Sequence, residues 1–248
     1  NADQVLERQE KQVVRILKEY LDSSLVNYPS SCNDFTSAGK LDKRSPKPHQ
    51  SDAINNVVDG LQGSDRGQLL MACGTGKTLT SFWIKERIKA KRTLVLLPSL
   101  SLLSQTLKEW CNESDGGLSY ICVCSDQTIN KQDKEVDPWI PNSSELGVDV
   151  TSDPSEIRRF LLENDSGVVF STYQSSPLIV EAQSALEVPS FDIAFADEAH
   201  RCAGKVSSSF SCVLDSQKVR AAKRLFMTAT PRVMTSQSRR RALEKDID

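Results

Sequence analysis

Apolar positions change their period along the 248-residue chain. Val5, Leu6, Val13, Ile16, Leu17, Tyr20, Leu21 and Leu25 recur at helical spacing and predict an amphipathic helix over residues 3–26. A polar stretch, 27–46, reads as a linker. A second helix is predicted over 49–61, with Ala53, Ile54, Val57, Val58 and Leu61 on its inner face. From there short apolar runs alternate with helical segments. The runs are 68–72, 93–98, 119–124, 167–171, 191–197 and 224–228; helices are predicted over 77–90, 100–111, 155–163 and 177–186. Asp153, Pro154 and Glu156 mark one helix start: a cap, a proline at the first helical position and an acid three residues after the cap. Continuous apolar strands alternating with helices predict an α/β domain whose mostly parallel sheet is covered on both faces. The polar stretch 125–152 reads as a surface insertion.

Composition narrows this picture modestly. Apolar residues make up 38% and charged residues 26%, within the range of globular proteins, and no run approaches the length of a membrane helix. No basic-then-apolar leader is visible at the start. The seven cysteines show neither C-x-x-C pairs nor histidines at zinc-ligand spacing, so they read as small buried hydrophobes in a reducing compartment. A cytoplasmic location is expected. The net charge of −2 hides an asymmetry: 13 acids against 4 bases over 109–165, and 8 Lys/Arg with no acid over 216–243. The basic stretch, including Arg239, Arg240 and Arg241, is expected to add phosphate attraction if the partner is a nucleic acid.

The chemistry concentrates at two places. Cys73, Gly74, Thr75, Gly76, Lys77 and Thr78 lie between a predicted strand and a predicted helix. A loop that wraps backbone N–H groups around phosphate needs glycine where a side chain would collide, and the next helix adds its positive end. Lys77 would reach the β- and γ-phosphates, and the Thr78 hydroxyl would ligate Mg²⁺. Met71 stands where such loops usually begin with Gly or Ala, so a tighter loop entrance is expected. Later, an apolar strand ends in Asp197, Glu198, Ala199 and His200. Ligands of open α/β sheets bind at the C-terminal strand ends, so the two segments can share one edge. Asp197 would hold Mg²⁺ through water, and Glu198 would accept a proton from the attacking water.

These residues resemble the first motor lobe of superfamily 2 helicases and translocases of the DEAH type. The order of the remaining segments agrees: Lys47, Pro48, His49 and Gln50; Leu97 to Leu100 with Ser104, Gln105 and Thr106; Ser171 to Gln174; and Thr228 to Pro231. Within that group the strings resemble most the translocase of type ISP and related ATP-dependent restriction enzymes. The resemblance implies a RecA-like three-layer lobe over 46–234. It is preceded by a helix over 1–30 that would couple to an upstream nuclease or methylase domain, and by a linker over 31–45. A basic then acidic tail, 235–248, would lead to a second lobe absent from this chain.

Through the same resemblance Gln50 would read adenine, and Pro98, Ser99, Gln105, Thr172 and Tyr173 would meet the nucleic-acid backbone. His200, Thr228 and Thr230 would couple nucleotide state to grip. ATP and Mg²⁺ are the implied cofactors, and DNA, duplex rather than RNA, the implied partner, with no membrane role. Arg239, Arg240 and Arg241 are not read as arginine fingers. Ordinary loop capping is the alternative reading of the hydroxyls of Ser99, Ser104 and Thr106. An RNA helicase lobe and a nucleotide-switched interaction module stay open as alternatives.

Overall fold

A computed structural model describes residues 43–115, 117–124, 150–199 and 209–230. The predicted helix over 3–26, most of the insertion, His200 and the tail lie outside the described residues. The elements run α1 (Pro48–Gly63), β1 (Arg66–Leu70), α2 (Lys77–Arg87), β2 (Arg92–Leu97), α3 (Leu100–Glu113), β3 (Tyr120–Val123) and β4 (Val150–Thr151). There follow α4 (Pro154–Glu163), β5 (Gly167–Thr172), α5 (Ser176–Ala182), β6 (Phe191–Ala196) and β7 (Ala221–Thr228), with 3₁₀ turns at Tyr173–Ser175 and Ser209–Leu214.

The seven strands form one sheet in the order β1-β7-β6-β2-β5-β3-β4, and every neighbouring pair is parallel. The strands are apolar on both sides because both faces are covered. In β2, Val95 and Leu97 join the core beneath α1, α2 and α3, whereas Leu94 and Leu96 join the core beneath α4 and α5. Trp110 of α3 centres the first core, its ring edge-on to Phe82, Phe170 and Phe195 at 5.6–5.9 Å. Such pairs are worth about 0.5–1.5 kcal/mol each beyond the area they bury.

Helix starts follow their local chemistry. Asp153 caps α4, accepting from the Ser155 N–H at 2.8 Å, and Pro154 takes the first helical position. The Ser155 hydrogen bonds hold the Asp153 carboxyl below its ordinary range. The cap's own N–H goes to the Thr151 hydroxyl at 3.0 Å, so the capping box suggested by Glu156 is replaced by a bond from the preceding strand. Ser99 caps α3 by accepting from Leu102 N–H at 3.4 Å.

Several predicted boundaries shift. β1 occupies Arg66–Leu70 rather than 68–72, because pairing with β7 begins at Arg66 opposite Arg224. β7 starts at Ala221, ahead of its apolar run, since Ala221 and Lys223 pair with Phe191 and Ile193. The predicted insertion loses its last part to β4, which pairs with Cys122 and Val123. α5 ends at Ala182 rather than 186, where the Gln183 side chain turns to the Arg220 backbone.

Basic residues near β7 prove structural. Arg224 is buried and donates to the carbonyls of Val213, Ala221 and Val219 at 2.9, 2.9 and 2.5 Å. Burial first, then Arg66, lowers its pKa from the ordinary value. Arg220 donates to the carbonyls of Gln183, Ala185 and Val188, and Lys223 to that of Leu61. The expectation that the whole basic segment meets phosphate is corrected for these three. Among the described residues no helix is long and apolar enough to cross a membrane.

Candidate nucleotide site

The phosphate loop follows β1 and opens α2, as the spacing required. Gly74 and Gly76 have φ of 75° and 86°, in the left-handed region where a side chain is strained. Gly76 caps α2 without a capping side chain, so the first-turn N–H groups of the helix are left for an external acceptor. The loop is braced from within: the Thr75 hydroxyl donates to the Ala72 carbonyl at 2.7 Å. Met71 turns into the core, 9% exposed, and does not narrow the loop.

Gln50 fastens α1 to the same loop. Its Oε1 accepts from Lys47 N–H at 2.8 Å and its Nε2 donates to the Thr75 carbonyl at 3.0 Å. His49 Nε2 lies 3.3 Å from the same carbonyl. The two Gln50 bonds use one of its two amide hydrogens and one of its two carbonyl lone pairs.

The acidic segment meets the loop at the C-terminal edge of the sheet. Lys77 Nζ stands 3.8 Å from Glu198 Oε1, both side chains largely shielded from solvent. Glu198 has φ of 47°, unusual for a residue with a Cβ, and of a kind that costs about 1–3 kcal/mol unless its surroundings hold it. Asp197 N–H still bonds to the Leu96 carbonyl of β2 at 3.0 Å. β7 lies between β1 and β6, so Thr228 ends between the two segments. Its carbonyl accepts from Met71 N–H at 3.2 Å, and its hydroxyl engages the Thr230 backbone at 3.2 Å. Thr228 and Thr230 thus join the site edge; His200 lies outside the described residues.

The uncapped N-terminus of α2, the left-handed glycines, the Thr78 hydroxyl and the adjacent Asp197 fit a nucleotide phosphate chain with its divalent cation. Cys73 is exposed on the loop.

The predicted nucleic-acid residues separate. Ser99 and Gln105 are exposed, but Ser99 uses its hydroxyl as the α3 cap and Gln105 donates to Glu109 at 3.1 Å. Pro98 is buried. Thr172 and Tyr173 are fully buried: the Thr172 hydroxyl pairs with Ser175 at 2.9 Å, and the Tyr173 hydroxyl donates to the Asp197 carbonyl at 2.6 Å. Direct contact between a strand and the side chains of Pro98, Thr172 and Tyr173 is corrected, because the core and the acidic segment occupy them. Trp110 was missed by the sequence: its Nε1 donates to the Thr78 carbonyl at 3.0 Å, anchoring the first turn of α2. No local signal could have found it, since α3 follows β2 whereas the phosphate loop follows β1.

A cleft of about 510 Å³ runs between α1 and the edge strand β1, beside His49 and Leu70 but away from Lys77.

The family described as "Type III restriction enzyme, res subunit" matches residues 43–233. The chain is 34% identical over 188 residues to the "Probable helicase A859L" of African swine fever virus isolate Tick/Malawi/Lil 20-1/1983, covering 75% of this chain and 19% of the relative. Among solved structures it is similar to the "ATP-dependent Type ISP restriction-modification enzyme LlaBIII bound to DNA", with a TM-score of 0.74 and 30% identity over 93% of this chain and 16% of that one. It is also similar to the nuclease-deletion mutant of the type ISP enzyme LlaGI in complex with a DNA substrate mimic, with a TM-score of 0.62 and 31% identity over 82% of this chain and 21% of that one. The chain therefore spans about a fifth of the length of the curated relatives it matches.

Proposed function

The chain belongs to the family of the type III restriction enzyme res subunit and has the RecA-like helicase motor lobe seen in type ISP enzymes, and from this premise we propose that it is the ATP-binding first lobe of a DNA translocase. The observation that carries the reading is the meeting of Lys77 and Glu198 at one strand edge, 3.8 Å apart. Lys77 exchanges the Glu198 carboxylate for the β- and γ-phosphates when nucleotide binds. Gln50 presents its remaining donor and acceptor to adenine, and the backbone from Cys73 to Thr78 encloses the phosphates.

Thr78 and Asp197 would hold Mg²⁺, which supplies charge stabilisation to the phosphoryl group. Glu198 then orients water and accepts its proton. Thr228 and, beyond the described residues, His200 pass nucleotide state toward the DNA-facing loops. The DNA named for the two type ISP structures is the proposed partner, duplex rather than RNA. A second lobe and an upstream nuclease or methylase domain complete the machine, which works in the cytoplasm.

This lobe by itself is expected to bind ATP weakly and turn it over hardly at all, since in other nucleotide hydrolases an arginine supplied from outside is worth ~10³–10⁵ in rate. The test is duplex-DNA-stimulated ATPase activity of the full-length protein, with Lys77→Ala alongside. Stimulated turnover that Lys77→Ala abolishes, together with calorimetric loss of ATP binding, supports the reading; wild-type affinity in Lys77→Ala refutes it. Stimulation by RNA in place of duplex DNA would favour the RNA helicase alternative.

A further inference from the structure

We propose that Tyr173 is a positioning residue for Glu198, its hydroxyl holding the peptide unit from which the left-handed turn of the acidic segment begins. The proposal rests on the reading of Glu198 as proton acceptor and extends it to what aligns that carboxylate.

Tyr173 follows β5, whereas Asp197 follows β6, and β2 lies between those strands. The two strand ends are therefore separated by two inter-strand spacings, about 9.5 Å. A side chain that crosses this gap and still arrives with a donor must be long, stiff and polar only at its tip, which describes tyrosine. The Tyr173 ring is 0% exposed and packs in the core that includes Leu96 and Ala196. That packing fixes where the hydroxyl points. It donates to the Asp197 carbonyl at 2.6 Å, while the Asp197 N–H donates to Leu96 at 3.0 Å. Asp197 is thus gripped at both backbone groups, once by the sheet and once by a side chain.

The consequence falls on the next residue. The carbonyl of Asp197 and the N–H of Glu198 share one rigid peptide plane. Holding that carbonyl holds the plane against which the φ of Glu198 is measured, and that φ is 47°, where a residue with a Cβ stays only if its surroundings over-determine it. Freed from Tyr173, the plane can rotate, the φ can relax to negative values, and the carboxylate leaves its place 3.8 Å from Lys77 Nζ. Phosphate-loop bonds to Gln50 and Trp110 do not pass through Tyr173, so the loop itself keeps its place in this change.

The experiment is steady-state DNA-stimulated ATPase of the full-length protein carrying Tyr173→Phe, with thermal melting and binding of a non-hydrolysable ATP analogue. The expected result is kcat lower by ~10- to 100-fold, the scale set by an ångström of misplacement. KM for ATP and analogue affinity should stay within about twofold, the pattern of an interaction needed only for the chemical step. Replacing Tyr173 with 4-aminophenylalanine keeps the ring and an N–H donor, and should restore most of kcat.

Glu198→Gln is measured in parallel, and the double variant should be no slower than Glu198→Gln alone, since groups acting as one unit are not additive. Wild-type kcat in Tyr173→Phe, with turnover lost in Glu198→Gln, overturns the positioning role and leaves the proton acceptor standing. Retained turnover in Glu198→Gln overturns the acceptor itself and the positioning role with it. Loss of analogue binding in Tyr173→Phe, or no rescue by the amino variant, assigns the hydroxyl to the fold and overturns the proposal.

Discussion

Gly76 and the side-chain amide of Gln50 compete for one volume: a Cβ on Gly76 would run into the nitrogen that Gln50 donates to Thr75. The glycine therefore serves twice, once for its φ of 86° and once to leave room for the Gln50 amide over the loop. Because Gln50 also bonds back to Lys47, the start of α1 and the phosphate loop set one another's position.

Gly76→Ala should expel Gln50 from the loop and lose most ATP affinity, with about 1–3 kcal/mol of stability lost to backbone strain. Gly74→Ala makes the comparison, since its φ of 75° is equally left-handed but nothing stands within 4 Å of a Cβ there. Calorimetric titration and thermal melting of both variants check this: Gly74→Ala should pay in strain alone and bind more tightly than Gly76→Ala. Equal affinities would show that the Gln50 contact does not matter.

Glu198→Gln should keep ATP binding and slow turnover by ~10²–10⁴-fold, the range for loss of a general base. The amide keeps the size of the carboxylate but cannot take a proton. Single-turnover hydrolysis alongside equilibrium binding measures both, and turnover within about threefold of wild type would remove Glu198 from the chemistry.

Arg224→Ala should destabilise the lobe by ~3–5 kcal/mol, because three carbonyls lose their donor and a large buried side chain disappears. Arg224→Lys should recover only part of this, since an ammonium cannot reproduce the planar fork. Urea midpoints at unchanged slope are the measurement; a midpoint for Arg224→Ala near that of wild type would contradict the clamp.

Cys122 gives a pH prediction. Burial, and then the neighbouring Cys111, push its thiol up to about 12. The folded state thus keeps a proton that the unfolded chain releases near the ordinary thiol value, about 8.5. Its contribution is fully present below that value and is lost as pH rises from about 8.5 toward the folded pKa, by at most about 1.4 kcal/mol per pH unit. Thermal melting between about pH 8 and 11 should fall less steeply in Cys122→Ala. Alkylation near neutral pH should label exposed Cys73 and spare Cys122.

The strands and the phosphate loop were legible because their signals are local: an apolar run, two glycines at a fixed distance, a lysine opening a helix. Strand order was not legible, since nothing near Arg66 announces that Arg224 will lie beside it. Two-residue β4 escaped because Val150 and Thr151 make no run of their own. Tyr173 was misread for a related reason. A tyrosine at a strand end looks poised for a ligand, and only the intervening β2 reveals that its hydroxyl reaches Asp197 instead. Arg220, Lys223 and Arg224 read as part of a phosphate-attracting stretch until their carbonyl partners came into view, those of Arg220 and Lys223 distant in sequence and those of Arg224 in the turn just before β7 and at its start.

The place of β1 at the sheet edge, with β7 as its sheet neighbour, bears on how the lobe comes into being. Every residue-to-residue pairing of β1 joins positions more than 150 apart in the chain, from Arg66 with Arg224 to Leu70 with Thr228. Closing so long a loop is slow and is rewarded only at the end. On the ribosome, the strand that carries the phosphate loop is made early yet waits for its β7 partner to emerge. The order of synthesis therefore makes the proposed ATP site a late acquisition, and a chain interrupted before Thr228 leaves an open strand edge available for aggregation.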